Sequence, residues 1–463
     1  MKAINKIAML AILLAAAVSC TKYIEVPVEV PVETIVEKIV EVQVASEDGD
    51  QIFAYSIQAF DVLPTNSAAE NKVRLQKAID WATDKGAALY VEPVEGGYPV
   101  ASGIVLKKNV SLIGVHGPTG RGTVSNGKPT GSLFVITDDK HPFITVQSAT
   151  QIKGCQFYYP EQAFDDASKV IEYPPTIQVS QNQGVHSVTL QCLSFYGSYF
   201  AMDFRANARF DSNGTLQGTP CEQILFEHCY GYPLSGQFIA IDFCYDIPRI
   251  LHCHVNPAIM REFRGDYGHV INDYVVNRKT YAYWIDHTDN AQVMDIFTFA
   301  TYGGIYLGPY TYGQLTNFNF DQVCTGVFKD GNTPFNRIWE VAQGSIIASV
   351  SPDGDRTKIH PFIVQGYGQI SITNVDCFSG RAHPDVLTTQ GVSYDFLKVQ
   401  GANWVIVTGV NCRMRNYTSD IPITVANPKA QVSFINCSNA DGELFTFQRT
   451  GDNPNDKGTY TVL

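Results

Sequence analysis

Short apolar bursts recur along most of this chain, and they share an ending. They read QIKGCQF (151–157), SVTLQCLSF (187–195), QILFEHC (223–229), RILHCHV (249–255), QISITNVDC (369–377), WVIVTGVNC (404–412) and QVSFINC (431–437). Each is rich in Ile, Val and Phe and of strand length. Many similar β units in one chain predict a solenoid, in which each unit buries its apolar face against the next. The first apolar residues are Ile152, Val188, Ile224, Ile250, Val293, Leu315, Ile370, Val405 and Val432, separated by steps of 22 to 55 residues. One β-solenoid coil takes roughly two dozen residues, so longer steps hold side loops. The longest step hides an extra coil near residues 344–348. A β-sandwich or a propeller is the alternative, but propeller blades repeat evenly at about 40–50 residues.

The folded body opens differently. Ser67-x-x-Glu70 is a capping-box pattern, Val73, Leu75, Ala78, Ile79 and Ala82 follow at rough helical spacing, and Gly86 supplies a stop. A short strand, ALYV (88–91), comes next. Then GYPVASGIVLKKNVSLIGVHGPTG (97–120) places Ile104, Leu106, Val110, Leu112 and Ile113 in the first sheet coils. The order Phe60-Asp61, LQKAID (75–80), Tyr98 and VSLIG (110–114), with FYYPEQ at 157–162, resembles the pectate lyase superfamily. Within it the nearest pattern is the branch related to glycosyl hydrolase family 28, also seen in phage tailspikes. That resemblance implies an all-β chain, a right-handed parallel β-helix whose N-terminal end is plugged by an α-helix. The cap would span about 52–115 within a single domain at 51–463. FDVLPTN (60–66) replaces the family's usual opening. The Asn-Thr-Asp, Asp-Asp, Gly-His-Gly and Arg-Ile-Lys set of polygalacturonases is absent, and Asp138-Asp139 and Asp165-Asp166 sit in other surroundings.

Residues 1–19 carry Lys2 and Lys6, then an unbroken apolar run from Ile7 to Val18, too short to span a bilayer. The run closes on Ala17-Val18-Ser19-Cys20, which resembles a bacterial lipoprotein cleavage box. The resemblance implies cleavage before Cys20, lipidation of Cys20 and an outer-membrane lipoprotein of the bacterial cell envelope. An ordinary signal peptide is the alternative. Residues 20–50 alternate Val and Ile with Glu and contain Pro27 and Pro31, so they read as an extended tether. Ile35, Val36, Ile39 and Val40 offer a short coiled coil through which a stalk could form a homotrimer.

The chain has 463 residues and a net charge of −12. An acidic protein repels phosphate backbones, so nucleic acid is not an expected partner. Eleven cysteines occur without a Cys-x-x-Cys pair. Cys155, Cys192, Cys229, Cys253, Cys377, Cys412 and Cys437 fall near the ends of strand units, which predicts a buried ladder of free thiols. Disulfides are the alternative.

A second strand series lies between the main units: FAMDF (200–204), IAIDF (239–243), WIDH (284–287) and GIYL (304–307). Aligned on their apolar residues, Asp203, Asp242, Asp286 and Tyr306 share an outward column. Neighbouring coils stand about 4.8 Å apart, so such carboxylates perturb one another, and one tends to hold a proton. An acid beside a base is what glycoside hydrolysis needs. The same cluster could hold calcium, as lyases of this superfamily often do. The alternative is that these aspartates merely solvate an outer face. The step from Ile250 to Val293 holds the richest loop, with Arg261, Glu262, Arg264 and Asp266, and with His252, His254, His269, Asp273 and His287 around it. Arginine suits carboxylated sugars. His287, beside Asp286, is the preferred catalytic histidine, and Tyr306 offers a sugar platform. DGD (353–355) and GPTGRG (117–122) read as turns.

The expectation is therefore a lipid-anchored protein that acts on an extracellular polysaccharide, as a glycoside hydrolase or a polysaccharide lyase. A non-catalytic glycan-binding or adhesive surface protein is the alternative.

Overall fold

The computed structural model describes residues 42–45, 51–116, 124–125, 128–260, 268–331, 337–348, 360–379, 396–415, 423–449 and 459–463. Cys20, most of the tether, and Arg261, Glu262 and Arg264 lie outside them.

Helix α1 (Ala68–Lys85) starts at the capping box that the sequence predicts. The backbone N–H of Glu70 donates to Ser67 Oγ at 3.3 Å, and the N–H of Ser67 donates to Glu70 Oε2 at 3.0 Å. Gly86 ends it in the left-handed conformation. Its buried face is Asn71, Leu75, Ala78, Ile79 and Ala82. Val73, which the spacing had placed with them, is 69% exposed.

Beyond the helix, the chain winds through three parallel ladders. One runs from Gln51–Ser56 to Thr459–Val462, and another from Tyr98–Pro99 to Ser438–Asn439. The third contains twelve strands, from Ile104–Leu106 to Phe447–Arg449. Each strand pairs with the coil before and the coil after, so its backbone groups are satisfied along the axis. Apolar side chains point inward and form one continuous core. The extra coil is real: Ile338–Ala348 runs through both of the first two ladders, and Gly368–Ser379 stacks on it.

A single left-handed residue separates the first ladder from the second in successive coils. The column is Gly154, Cys192, His228, His252, Asp295, Asn317, Gln343, Asn374, Asn411 and Asn436. Asn and Asp tolerate this conformation better than other side chains, and Asn436 Nδ2 donates to Asn411 Oδ1 at 2.7 Å. The residue after the bend turns inward, which is where Cys155, Cys229, Cys253, Cys412 and Cys437 are buried. All ten cysteines of the described residues are free thiols. Two of the expected rungs are misplaced. Cys192 occupies the bend itself, and Cys377 lies two residues beyond its inward counterpart Val375.

Candidate functional site

Six consecutive strands of the twelve-stranded ladder frame the site: β1 (Met202–Arg205), β2 (Ile239–Asp242), β3 (Tyr281–Ile285), β4 (Gly303–Leu307), β5 (Thr325–Lys329) and β6 (His360–Val364). Register fixes which side chains stack. Ile241 pairs with Phe204 on one side and Ile285 on the other, and Ile285 pairs with Leu307. Two outward columns follow from the alternation. The first is Asp203, Ala240, Trp284, Tyr306 and Phe328. The second begins with Arg205 opposite Asp242. It continues through Asp286, whose N–H donates to Ile241 O, then Gly308 and Asp330.

The aspartates therefore do not form a single column. Asp203 stands two residues earlier than Asp242, in the Tyr306 column. A shift of two residues keeps a side chain on the same face, so the alternation in AMDF and IAID could not reveal it. Asp203 is 6% exposed and is held by Arg205, Nε to Oδ1 and the terminal nitrogen to Oδ2, both at 2.8 Å. That bidentate pair neutralises it and removes it from acid–base work. Tyr306 is also corrected as a sugar platform. It is 8% exposed, Trp284 stacks on its ring at 3.8 Å, and its hydroxyl donates to Asp330 Oδ2 at 2.8 Å.

Asp242, Asp286 and His287 do come together. His287 Nδ1 lies 2.9 Å from Asp242 Oδ1 and 3.2 Å from Asp286 Oδ1. The backbone N–H of His287 donates to Asp286 Oδ1 at 3.0 Å. His287 sits at the bend leaving the sheet, with φ of 35°, and Phe243 takes the same place one coil earlier with φ of 52°. Their rings stack almost parallel at 4.3 Å. Tyr310 flanks the imidazole at 5.5 Å and Phe210 at 5.7 Å. Phe210 comes from the antiparallel hairpin of Asn207–Phe210 and Leu216–Thr219, inserted between β1 and the next coil. Phe210 and Tyr310 expose 38% and 51% of their surface, so both offer an open ring face or edge beside the carboxylates.

Electrostatics follow from this geometry. Burial pulls the His287 pKa down, but the hydrogen bonds to Asp242 and Asp286 outweigh it and push the imidazole up to about 9. Asp286 is raised, first by burial and also by the neighbouring Asp242 charge, while His287 opposes the shift. At neutral pH a cationic imidazole bridges two carboxyl groups. One ligand atom from each of the three residues lies within 4.8 Å of the others. The set does not fit calcium, which takes six to eight oxygens. Here the three residues supply two carboxylates and one imidazole nitrogen, and both carboxylates are already within hydrogen-bond distance of that nitrogen.

Further along the column, Asp330 Oδ1 accepts from Gly331 N at 2.6 Å and from Gln365 Nε2 at 2.7 Å. Gln400 Nε2 then donates to Gln365 Oε1 at 2.6 Å. Arg205, Phe210, Phe243, Gly308, Tyr310 and Asp330 carry no motif, and only the register identifies them. The Asp-Phe and Asp-His doublets at 242–243 and 286–287 were the available signal. His252 sits at the bend between the first two ladders, and His254 lies on the second. His252 Nδ1 is 2.8 Å from Asp295 Oδ2, and His254 stacks on Phe297 at 4.3 Å. Burial draws the His254 pKa down to about 4.

Comparison with known proteins finds no matching family model and no matching curated protein. Among solved structures, 36 chains match. The N-terminal fragment of bacteriophage phi29 gene product 12 is 12% identical with a TM-score of 0.54, over 88% of this chain and 70% of that one. The family 28 exopolygalacturonase of Yersinia enterocolitica is 9% identical with a TM-score of 0.47, over 91% of this chain and 81% of that one. PfbA, a surface adhesin of Streptococcus pneumoniae, is 11% identical with a TM-score of 0.43, over 88% of this chain and 90% of that one. The likeness is one of fold. The chain is a right-handed parallel β-helix capped by an N-terminal helix.

Proposed function

We propose that this protein hydrolyses an extended extracellular glycan at Asp242, Asp286 and His287. The observation that carries the reading is the shared histidine: two carboxylates from consecutive coils converge on His287 Nδ1, at 2.9 and 3.2 Å, beside the exposed rings of Phe210 and Tyr310. Asp286, whose proton affinity is raised, donates a proton to the leaving glycosidic oxygen. Asp242, fixed through Oδ1 by the imidazolium, attacks the anomeric carbon through Oδ2 and forms a glycosyl ester. Water then cleaves the ester with Asp286 acting as base. The convergence of both carboxylates on one imidazole, at 2.9 and 3.2 Å, places them close together, as a double displacement requires. Tyr310 and Phe210 pack against sugar rings.

We read the site as hydrolytic because it brings together paired carboxylates, as glycoside hydrolysis uses, while the nearby Arg205 is paired with Asp203. We place the protein on the cell envelope, anchored through a lipid on Cys20, with residues 20–50 as its tether.

A panel of pectic, host and microbial glycans, assayed for new reducing ends and for unsaturated uronate absorbance, tests the reading. Reducing ends without absorbance support it. Absorbance makes the protein a lyase, and binding without turnover makes it an adhesin. Metabolic labelling with a fatty acid, lost in Cys20→Ser, tests the anchor.

A further inference from the structure

Three pairs of cysteines stand in register on consecutive coils: Cys221 with Cys244, Cys229 with Cys253, and Cys412 with Cys437. Their backbones are separated by the coil spacing of about 4.8 Å, inside the roughly 4.4–6.8 Å Cα range of a disulfide. Only the third pair differs chemically from a stack of inert thiols. Cys229 Sγ donates to Leu190 O at 3.6 Å and Glu227 O at 3.5 Å, and Cys221 Sγ donates to Phe204 O and Phe243 O. Cys437 Sγ donates likewise, to Ile435 O at 3.4 Å, but it also accepts a hydrogen bond, from the Cys412 backbone N–H at 3.2 Å. Arg413 lies alongside, its guanidinium bonded to Cys412 O at 3.0 Å and Asn436 O at 2.6 Å. A backbone donor and a guanidinium stabilise a thiolate.

Position in the stack favours the same pair. Ser438–Asn439, which follows Cys437, is the last described strand of its ladder; it pairs in parallel with Arg413–Arg415, and Ser438 also bridges to Leu444. Terminal coils of a solenoid open at lower cost than central ones. Cys437 is buried in the closed form, and the chain that covers it is the terminal part, with Phe445 N–H donating to Cys437 O and Leu463 O accepting from Asn436 N–H.

We propose that Cys412 and Cys437 are a redox pair that closes to an inter-coil disulfide by exchange with a small-molecule disulfide, locking the terminal coils together. Cys437, as thiolate, attacks one sulfur of the small disulfide, forms a mixed disulfide and releases one thiolate. Cys412 then loses its proton and attacks the Cys437 sulfur, releasing the second thiolate. The protein loses two hydrogens and two electrons, and the small disulfide is reduced to two thiols. The hydrogen bond from Cys412 pulls the Cys437 thiol down to about 7 against the opposing effect of burial, and Arg413 adds to it. Cys412 is raised, first by its bond to Cys437 and then by burial, as suits the resolving partner.

The test incubates the full chain with oxidised glutathione, quenches with an alkylating agent and maps the peptides without reduction. The expected result is loss of two titratable thiols and one cross-link, Cys412 to Cys437. In Cys412→Ser, glutathione remains attached to Cys437, whereas in Cys437→Ser neither product forms. Retention of every thiol, or a cross-link between other cysteines, overturns the proposal. The wild-type peptide map decides the matter even where a variant folds poorly.

Discussion

Gly308 lies directly beneath the carboxyl group of Asp286. A Cβ at position 308 would stand 2.8 Å from Asp286 Cγ and 2.9 Å from its Oδ1. The backbone at Gly308 is not left-handed, so an alanine there meets only this steric conflict and the ring of Tyr306 at 2.7 Å. Gly308→Ala should therefore move Asp286 away from His287 while leaving the coil intact. The expected outcome is roughly a hundredfold loss of glycan turnover from a displacement of about 1 Å, with circular dichroism unchanged. Full activity in this variant would separate Asp286 from the chemistry.

His287 makes stability depend on pH. Its folded pKa, about 9, is above the unfolded value of 6.5, so the folded state binds the extra proton. The contribution is fully present below about 6.5 and is lost as pH rises through about 9. After allowance for solvent screening it amounts to about 1–2 kcal/mol. Thermal melts from pH 6 to 10 should show this decline in wild type and not in His287→Gln. In Asp242→Asn, an imidazole titration by NMR should give a lower His287 pKa.

Lys329 predicts the opposite slope. It occupies an inward position between Leu307 and Val364, is fully buried, and donates through Nζ to Gly331 O at 3.1 Å and Tyr367 O at 3.0 Å. Burial lowers its pKa to about 8 from 10.5. Between those values the unfolded chain binds more protons, so this residue makes stability rise with pH. Comparing melts of Lys329→Met with wild type at pH 8 and pH 10 checks the sign: the stability of wild type relative to the variant should be greater at pH 10 than at pH 8.

Aromatic substitutions should separate binding from folding. Tyr310→Ala removes an exposed ring beside His287 and should weaken glycan affinity by roughly tenfold, about 1.4 kcal/mol, with little change in melting temperature. Trp284→Ala strips the stacking partner of buried Tyr306 and should instead lower the melting temperature, since an aromatic pair contributes about 0.5–1.5 kcal/mol beyond its buried area. Equal effects on affinity and melting in both variants would contradict the assignment of Tyr310 to the glycan.

Much of this architecture was legible in the sequence. The capping box at Ser67, the repeated strand endings and the hidden coil at 338–348 all follow from local rules. The Asn-Cys doublets at 411–412 and 436–437 encode a left-handed bend followed by a buried position. Residue-level alignment between coils was less legible, because period-two patterns are blind to a slip of two. Val188 pairs with Ile224, while Ile152 pairs with Leu190. The same slip put Asp203 beside Asp242, although β1 offers Arg205 there instead. Phe210 was hidden for another reason. It enters from an inserted hairpin, and nothing in NARF signals which coil it will cover.

The most direct test of the central claim is turnover by Asp242→Asn on whichever glycan the wild type cleaves. Reducing-end release should fall roughly 10²–10⁴-fold, with glycan affinity held within a few-fold, because the amide keeps the shape of the side chain and loses the charge. Undiminished release by this variant would show that the carboxylates sharing His287 are not the reacting groups.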